Sequence, residues 1–334
     1  MTMKTFNTAP KIFYVHPPMK KIYLCVFLLP ALVLFSACQH LHTSTDAFFM
    51  EDPITSDSFA DEFPDIPFSV ITPADSAKFA SLQKEQQALN PWHYDVEGIW
   101  CSTETGKPLF ATFISRQYRV HHFYDKEAGN LFHRIQACLP QYQVRILRSD
   151  NQTNHLLVEA TNDRTPATYY SYSVDSNSVS LLHAPAQASY RNRLARTYPI
   201  TFTARDGQHI EAYLTLPHHQ TPEEARNLPV IVLTRSQTHR RHSWEFSPEA
   251  QFYASRGCAV VGINARGSSG YGKDFLALSS FRDKDIEDGV AYLQSMGITN
   301  PQKTAFHDLD ETDSLSIASR TAYCNEKLLS IKQR

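Results

Sequence analysis

Residues 200–301 alternate between short apolar strands and amphipathic helices, and this alternation restricts the possible folds more than any other feature. The expected strands cover 200–204, 209–216, 228–233 and 259–264. The first helix is expected to begin at Ser247, a favourable capping residue followed by Pro248, and the second opens at Asp285. Strands that alternate with helices are typical of α/β domains, so we predict that fold class here. A last helix is expected over 313–331.

A different pattern precedes this region, because residues 96–185 contain short strands separated by turn residues. The expected strands cover 109–114, 144–147, 156–160, 169–174 and 179–182, and the expected turns include Thr105-Gly106, Ala128-Gly129, Asp150-Asn151 and 175–177. Such spacing is typical of meandering sheets, such as the blades of a propeller. There are too few strands to close a propeller of four or more blades.

The N-terminal region has the pattern of an export signal. Lys20 and Lys21 precede an apolar stretch over 22–37, which is shorter than the roughly 20 residues of a comfortable membrane-spanning helix. The stretch ends in Phe35-Ser36-Ala37-Cys38, which resembles a bacterial lipobox and predicts lipidation at Cys38. A plain secretory signal and an uncleaved anchor helix are the alternatives. Met19 is a second candidate for the true start, beside Met1.

These patterns divide the chain into four expected segments. They are a signal peptide over 1–38, a linker over 39–75, a β-rich segment over 76–195 that opens with a helix over 76–90, and an α/β segment over 196–334. The expected location is the bacterial cell envelope, on the periplasmic or outer-membrane face, with the chain held by its lipid.

Composition limits the possible partners. Lys and Arg total 32 and Asp and Glu 34, giving a formal net charge of −2 and no electrostatic case for nucleic acid. The six cysteines show neither the CxxC nor the Cys/His spacing of a zinc site. We therefore expect no metal and no cofactor.

Several ordered motifs resemble one known family. They are 203–207 with 212–217, 227–233, Ser243-Trp244, 251–257, 264–272 and 285–301. Together they resemble the start of the catalytic domain of the prolyl oligopeptidase family, closest to its acylaminoacyl-peptidase and dipeptidyl-peptidase branch. The resemblance implies an incomplete α/β-hydrolase domain preceded by a β-rich segment that resembles the last blades of a β-propeller. It also implies the activity of a serine-type peptidase.

Two departures from the family pattern bear on that activity. Arg235-Ser236-Gln237-Thr238 stands where the family has a His-Gly-Gly-Pro turn, so the glycines that let amides approach an oxyanion are absent. The nucleophile elbow, Gly-x-Ser-x-Gly-Gly, is expected after residue 306, and by count its serine falls on Asp310. We therefore predict no catalytic residues, and we expect a C-terminally truncated homologue that arose by a frameshift or by earlier drift.

Three further patterns have weaker interpretations. Gly267-Ser-Ser-Gly-Tyr-Gly272-Lys273-Asp274 nearly matches a phosphate-binding loop, but Asp274 replaces the hydroxyl residue that would bind Mg²⁺. His239 and His242 lack a third metal ligand, and Ser81-Leu-Gln-Lys84 fits a Ser-x-x-Lys pattern without its partner motifs.

The leading expectation is an inactive peptidase homologue, and the alternative is an envelope-anchored protein that binds peptides. A peptide ligand and the membrane are the expected partners, and the oligomeric state stays open.

Overall fold

A computed structural model describes the protein over residues 56–65, 68–71, 95–115, 118–150, 152–237, 240–312, 315 and 317–332. The chain divides into two units, Met1–His42 and Thr43–Arg334, and all described residues belong to the second. The predicted export signal, Cys38 and the helix predicted over 76–90 lie outside the described residues. No helix in the described part of the chain is long and apolar enough to cross a membrane.

The β-rich segment forms two four-stranded antiparallel sheets, each with its strands in sequence order. The first contains β1 (Phe68–Ile71), β2 (Val96–Ser102), β3 (Pro108–Ser115) and β4 (Tyr118–Phe123); the second contains β5 (Gln143–Asp150), β6 (His155–Asn162), β7 (Thr165–Ser173) and β8 (Ser178–His183). All five strands predicted here are confirmed. Four-stranded meanders of this kind are the unit from which propeller blades are built.

A helix, α1 (Lys126–Cys138), joins the two sheets. It corrects the turn predicted at Ala128-Gly129, since both residues lie in its first turn. Asp125 caps it by accepting a hydrogen bond of 2.8 Å from the N–H of Ala128. Gly129 is present because of packing, since a Cβ there would lie 3.2 Å from the Phe123 ring.

Part of the predicted linker is folded, which corrects the expectation for 39–75. A 3₁₀ helix covers Ser56–Phe59, and Phe63 is 4% exposed in a small core with Leu157 and Tyr169. β1 pairs antiparallel with β2. Burial of Phe63 stabilises the packing of this segment. The sequence does not indicate this burial, because the segment has no periodic pattern of apolar residues.

The C-terminal segment forms one mixed sheet with the order β13-β11-β12-β10-β9. Its strands are β9 (Arg196–Thr203), β10 (His209–Leu216), β11 (Leu228–Thr234), β12 (Ala259–Asn264) and β13 (Thr299–Asp308). β11 pairs parallel with both β12 and β13, whereas β9 and β10 form an antiparallel hairpin. The predicted α/β fold class is confirmed.

Helices cover both faces of this sheet. They are α2 (Pro248–Ala254), α3 (Lys273–Ala277), α4 (Arg282–Ser295), α5 (Leu309–Thr312) and α6 (Ile317–Lys332), with the predicted Ser247 cap in place. Leu293 of α4 packs in the core on one face, and Phe252 of α2 and Leu328 of α6 pack in the core on the other. Burial on both faces explains why β11 and β12 are apolar along their length.

Candidate functional site

The candidate site lies at the carboxyl ends of the parallel strands, where open α/β sheets bind their ligands. β13 ends at Asp308 and α5 begins at Leu309. Asp310 therefore lies in the first turn of α5, at the strand-to-helix corner where the count along the family pattern predicts a nucleophile.

The carboxylate of Asp310 is enclosed by groups from the loop that follows β11. Its Oδ1 lies 3.3 Å from Nη1 of Arg235 and 3.4 Å from Nη1 of Arg240. Its Oδ2 accepts hydrogen bonds from the N–H of Gln237 at 2.7 Å and from the hydroxyl of Ser236 at 3.5 Å. The Asp310 side chain is only 2% exposed. We call these five residues the Asp310 cluster; its ion pairs and charge-assisted hydrogen bonds occupy both carboxylate oxygens.

The loop itself is fixed by further contacts. Nη1 of Arg282 donates to the carbonyl oxygens of Arg235 at 2.8 Å and Ser236 at 3.0 Å. Oδ1 of Asp308 accepts from the N–H of Ser236 at 3.3 Å and from that of Asp310 at 2.9 Å. The N–H groups of Ser236 and Gln237 thus both donate to carboxylates of the same chain. An oxyanion hole instead requires N–H groups aimed at the position of the substrate oxyanion.

His307 is a residue that the sequence did not single out. It is fully buried near the end of β13, with Nδ1 lying 2.8 Å from the hydroxyl of Tyr253 and Nε2 lying 3.1 Å from that of Thr312. Its two ring nitrogens are therefore engaged on the side of the sheet where α2 and α6 pack. The sequence offers little signal for it, because β13 is mostly polar and one more polar residue near its end does not stand out.

Cys324 of α6 lies beside this histidine, with Sγ 3.9 Å from Nδ1. Burial raises the pKa of the Cys324 thiol to about 11, and it also raises the pKa of Tyr253 far above its ordinary value. Because a thiolate, and not a thiol, is the nucleophile, Cys324 is not activated at neutral pH. The arrangement is a buried hydrogen-bonded cluster that connects β13 to α2, α5 and α6.

The pair His239 and His242 is not tested as a metal site, because His239 lies outside the described residues. Burial lowers the pKa of His242 to about 3, so its ring is neutral at physiological pH. Asn264 fixes the backbone there, because its Oδ1 accepts from the N–H of His242 at 2.7 Å. Within the described ranges, no group of three or more His, Cys, Asp or Glu is placed to hold a metal ion.

The glycine-rich segment 267–272 resembles a phosphate-binding loop in sequence. Its amides are engaged inside the chain: the N–H of Gly267 donates to the carbonyl of Phe275, and that of Gly272 donates to the carboxylate of Asp95 at 3.0 Å. A phosphate cradle needs several amides directed at one anion. A carboxylate in that position would repel the phosphate, so this geometry does not favour nucleotide binding.

A mixed sheet covered by helices on both faces, with a strand-to-helix corner at its carboxyl edge, is the arrangement that α/β-hydrolases share with other α/β folds. Residues 244–307 match the sequence profile described as the prolyl oligopeptidase family. This segment is therefore similar to that family, in agreement with the resemblance that the ordered motifs indicate. The match ends at His307, three positions before Asp310.

The relatives share short parts of their length with this chain. Dipeptidyl aminopeptidase BIII of Pseudoxanthomonas mexicana is 27% identical over 152 residues, covering 42% of this chain and 22% of that protein. Dipeptidyl peptidase family member 6 of Caenorhabditis elegans is 32% identical over 127 residues, covering 31% of this chain and 17% of that protein. The chain thus spans about a fifth of the length of these two relatives.

Solved structures give a similar result. Porphyromonas gingivalis dipeptidyl peptidase 4 superimposes with a TM-score of 0.48 at 13% identity, covering 66% of this chain and 32% of that one. The acylaminoacyl peptidase of Pyrococcus horikoshii superimposes with a TM-score of 0.41 at 18% identity, covering 60% of this chain and 31% of that one.

Proposed function

We propose that this chain is a prolyl oligopeptidase-family homologue that does not hydrolyse peptides by itself. The observation that carries the proposal is the Asp310 cluster, at the corner where the family pattern has its nucleophile. A carboxylate held by Arg235 and Arg240 has its charge and lone pairs engaged, so it is a poor nucleophile. Loss of the serine nucleophile in a serine peptidase costs about 10⁶ in turnover.

The loop after β11 supports the same conclusion. Two amides that could face an oxyanion, those of Ser236 and Gln237, donate to Asp308 and Asp310 instead. Removal of one oxyanion donor costs about 10²–10³ in rate. Neither feature depends on residues outside the described ranges.

A fluorophosphonate probe tests this proposal, because it reacts covalently with activated serines. The purified protein is incubated with the probe beside an active serine peptidase, and intact mass spectrometry follows adduct formation. We expect the control peptidase to be labelled fully and this chain to stay unlabelled at the same time point. A stoichiometric adduct that maps to one serine of the folded chain would overturn the proposal.

We also propose an envelope location with lipid on Cys38, and a peptide-binding role is the alternative function. Lys20-Lys21, the apolar stretch over 22–37 and the sequence ending at Cys38 support the lipid anchor. Metabolic labelling with a radioactive fatty acid in a bacterial host tests it. The wild-type chain should carry label in the membrane fraction, whereas Cys38→Ser should not; equal labelling of both chains would contradict the anchor.

A further inference from the structure

Two adjoining cavities lie between the two antiparallel sheets, and no residue of the Asp310 cluster lines either of them. One has a volume of about 210 Å³ and is lined by Trp100, Phe110 and residues of β5. The other has a volume of about 400 Å³ and is lined by residues 140–143 and Trp244. Arg119, His121, Phe132 and Val144 line both, so we describe the pair as one aromatic cleft.

The aromatic walls of the cleft hold one another in place. Trp100 stacks on Phe110 with ring centroids 5.0 Å apart and an interplanar angle of 10°. The ring of His121 lies 4.3 Å from that of Phe132 and 5.6 Å from that of Phe110. Such contacts among rings fix their orientation, so the cleft is formed before any ligand enters. Pockets for small ligands are typically preformed and apolar, with a few placed polar groups.

The charged side chains at the cleft are already paired. Nε of Arg119 lies 3.1 Å from Oε2 of Glu97, and Nε of Arg145 donates to Oε1 of Glu159 at 2.8 Å. A charged ligand would therefore enter an apolar space without an uncommitted counter-charge, at a high desolvation cost. An uncharged ligand avoids this cost.

His121 is the polar side chain that could orient a ligand in the cleft. Its Nδ1 lies 2.9 Å from the hydroxyl of Thr112, and its Nε2 has no hydrogen-bond partner among the described residues. Burial, with help from Arg119, lowers the pKa of His121 to about 4, so the ring is neutral at pH 7.

The tautomer of His121 follows from the burial of Thr112. Thr112 is fully buried, and among the residues that the structure describes His121 is the only hydrogen-bond partner of its hydroxyl. If Nδ1–H donated to this oxygen, the threonine proton would have no acceptor, which costs about 1–3 kcal/mol. The favoured arrangement has the threonine donating to Nδ1, so Nε2 carries the proton and is available as a donor to the cleft.

We propose that the aromatic cleft binds an uncharged molecule in which an aromatic ring carries a neighbouring carbonyl oxygen. The ring packs against Phe110 and Phe132, and the carbonyl oxygen accepts a hydrogen bond from Nε2–H of His121. This inference is independent of the proposed function, because it involves no residue of the Asp310 cluster.

A matched pair of probes tests the proposal. Acetophenone and ethylbenzene have nearly the same shape, and only acetophenone carries a carbonyl oxygen. NMR titration of the purified protein with each probe at pH 7 gives the two dissociation constants. We expect acetophenone to bind about tenfold more tightly, the difference that one net hydrogen bond supplies.

Three variants locate the site. His121→Phe keeps a ring among Phe110 and Phe132 but removes the donor, so the tenfold preference should disappear while ethylbenzene still binds. Val144→Phe fills the space shared by both cavities and should weaken both probes at least tenfold. His122→Phe is the matched control, because His122 is exposed and does not line the cleft, and it should behave as the wild type.

Circular dichroism confirms that each variant is folded before its titration. Equal affinity for the two probes in the wild type would overturn the proposal. So would a carbonyl preference that survives His121→Phe, or binding that Val144→Phe leaves unchanged.

Discussion

The backbone N–H of Gln237 donates a hydrogen bond of 2.7 Å to the carboxylate of Asp310. This bond joins the loop after β11 to the turn after β13, two segments that are separated in sequence by most of the α/β region. In the family pattern, these segments shape the oxyanion side and carry the nucleophile. Here the two segments form hydrogen bonds with each other, and the side chains of Arg235 and Arg240 neutralise the charge of the Asp310 carboxylate. Ion pairs and hydrogen bonds to the Asp310 carboxylate therefore stabilise this strand-to-helix corner.

Neutralising Asp310 should destabilise the fold. Asp310→Asn leaves Arg235 and Arg240 facing an uncharged amide at a site that is almost inaccessible. Breaking a buried pair costs about 3–5 kcal/mol, and because both arginines are partly exposed we expect about 2–3 kcal/mol less free energy of unfolding. Urea denaturation at pH 7 measures the change. Glu311→Gln is the control, because Glu311 is exposed, and it should change the stability by less than about 0.5 kcal/mol. A similar loss in both variants would refute this role.

The buried His307 cluster gives a second test, in which two tyrosines serve as a matched pair. Tyr253→Phe removes the hydroxyl that meets Nδ1 of His307 in the core, and we expect a loss of about 1–2 kcal/mol. Tyr323→Phe removes a hydroxyl that donates to the exposed Glu311, and we expect less than about 0.5 kcal/mol. Thermal or urea unfolding distinguishes the two. If Tyr323→Phe is the more damaging variant, the cluster does not stabilise β13 as argued.

Asp285 and Arg266 form a further ion pair of the α/β segment, and both of its side chains are buried. The Asp285 carboxylate is fully buried and accepts from the N–H of Arg266 at 2.8 Å and from its guanidinium. Asp285→Asn should lower the free energy of unfolding by about 3–5 kcal/mol. Asp283→Asn, an exposed acid in the same first turn of α4, should cost less than about 1 kcal/mol through the helix dipole. Comparable losses would show that the helix dipole, not the ion pair, is responsible.

The stability should fall as the pH decreases below neutrality, in part because of His121. Its pKa is about 4 in the folded protein and 6.5 in the unfolded chain. The unfolded chain binds more protons between these values, so stability is present above about pH 6.5 and is lost as the pH falls towards 4. The limiting slope is about 1.4 kcal/mol per pH unit for one histidine.

His121→Phe should reduce this slope between pH 6 and 4, and His122→Phe, at an exposed position, should keep it. Urea denaturation at half-unit intervals of pH gives both profiles. Identical slopes in the wild type and His121→Phe would contradict burial of a neutral ring at this position.

Local patterns predicted nine of the thirteen described strands, because each of these carries its own signal of apolar, β-branched and turn residues; β1, β2, β4 and β13 were missed. They failed at α1, where Gly129 and its neighbour suggested a turn. The glycine lies against Phe123, where a Cβ would be 3.2 Å from the ring, and sequence patterns do not encode this contact. They also failed at Phe63, whose burial depends on β6 and β7.

The position of Asp310 followed from counting along the family pattern, but its environment did not. Arg235 and Arg240 are remote from Asp310 in sequence, and they meet it only because β11 and β13 are adjacent parallel strands. His121 was likewise hidden, since its role depends on packing between two sheets.

The most direct test of the central claim is the rate at which the purified protein hydrolyses a panel of dipeptidyl and aminoacyl p-nitroanilides, compared with that of folded Asp310→Asn prepared in the same way. We predict no release of nitroaniline above the buffer rate for either protein. Turnover by the wild type that disappears in Asp310→Asn would show that Asp310 is catalytic and would contradict the account.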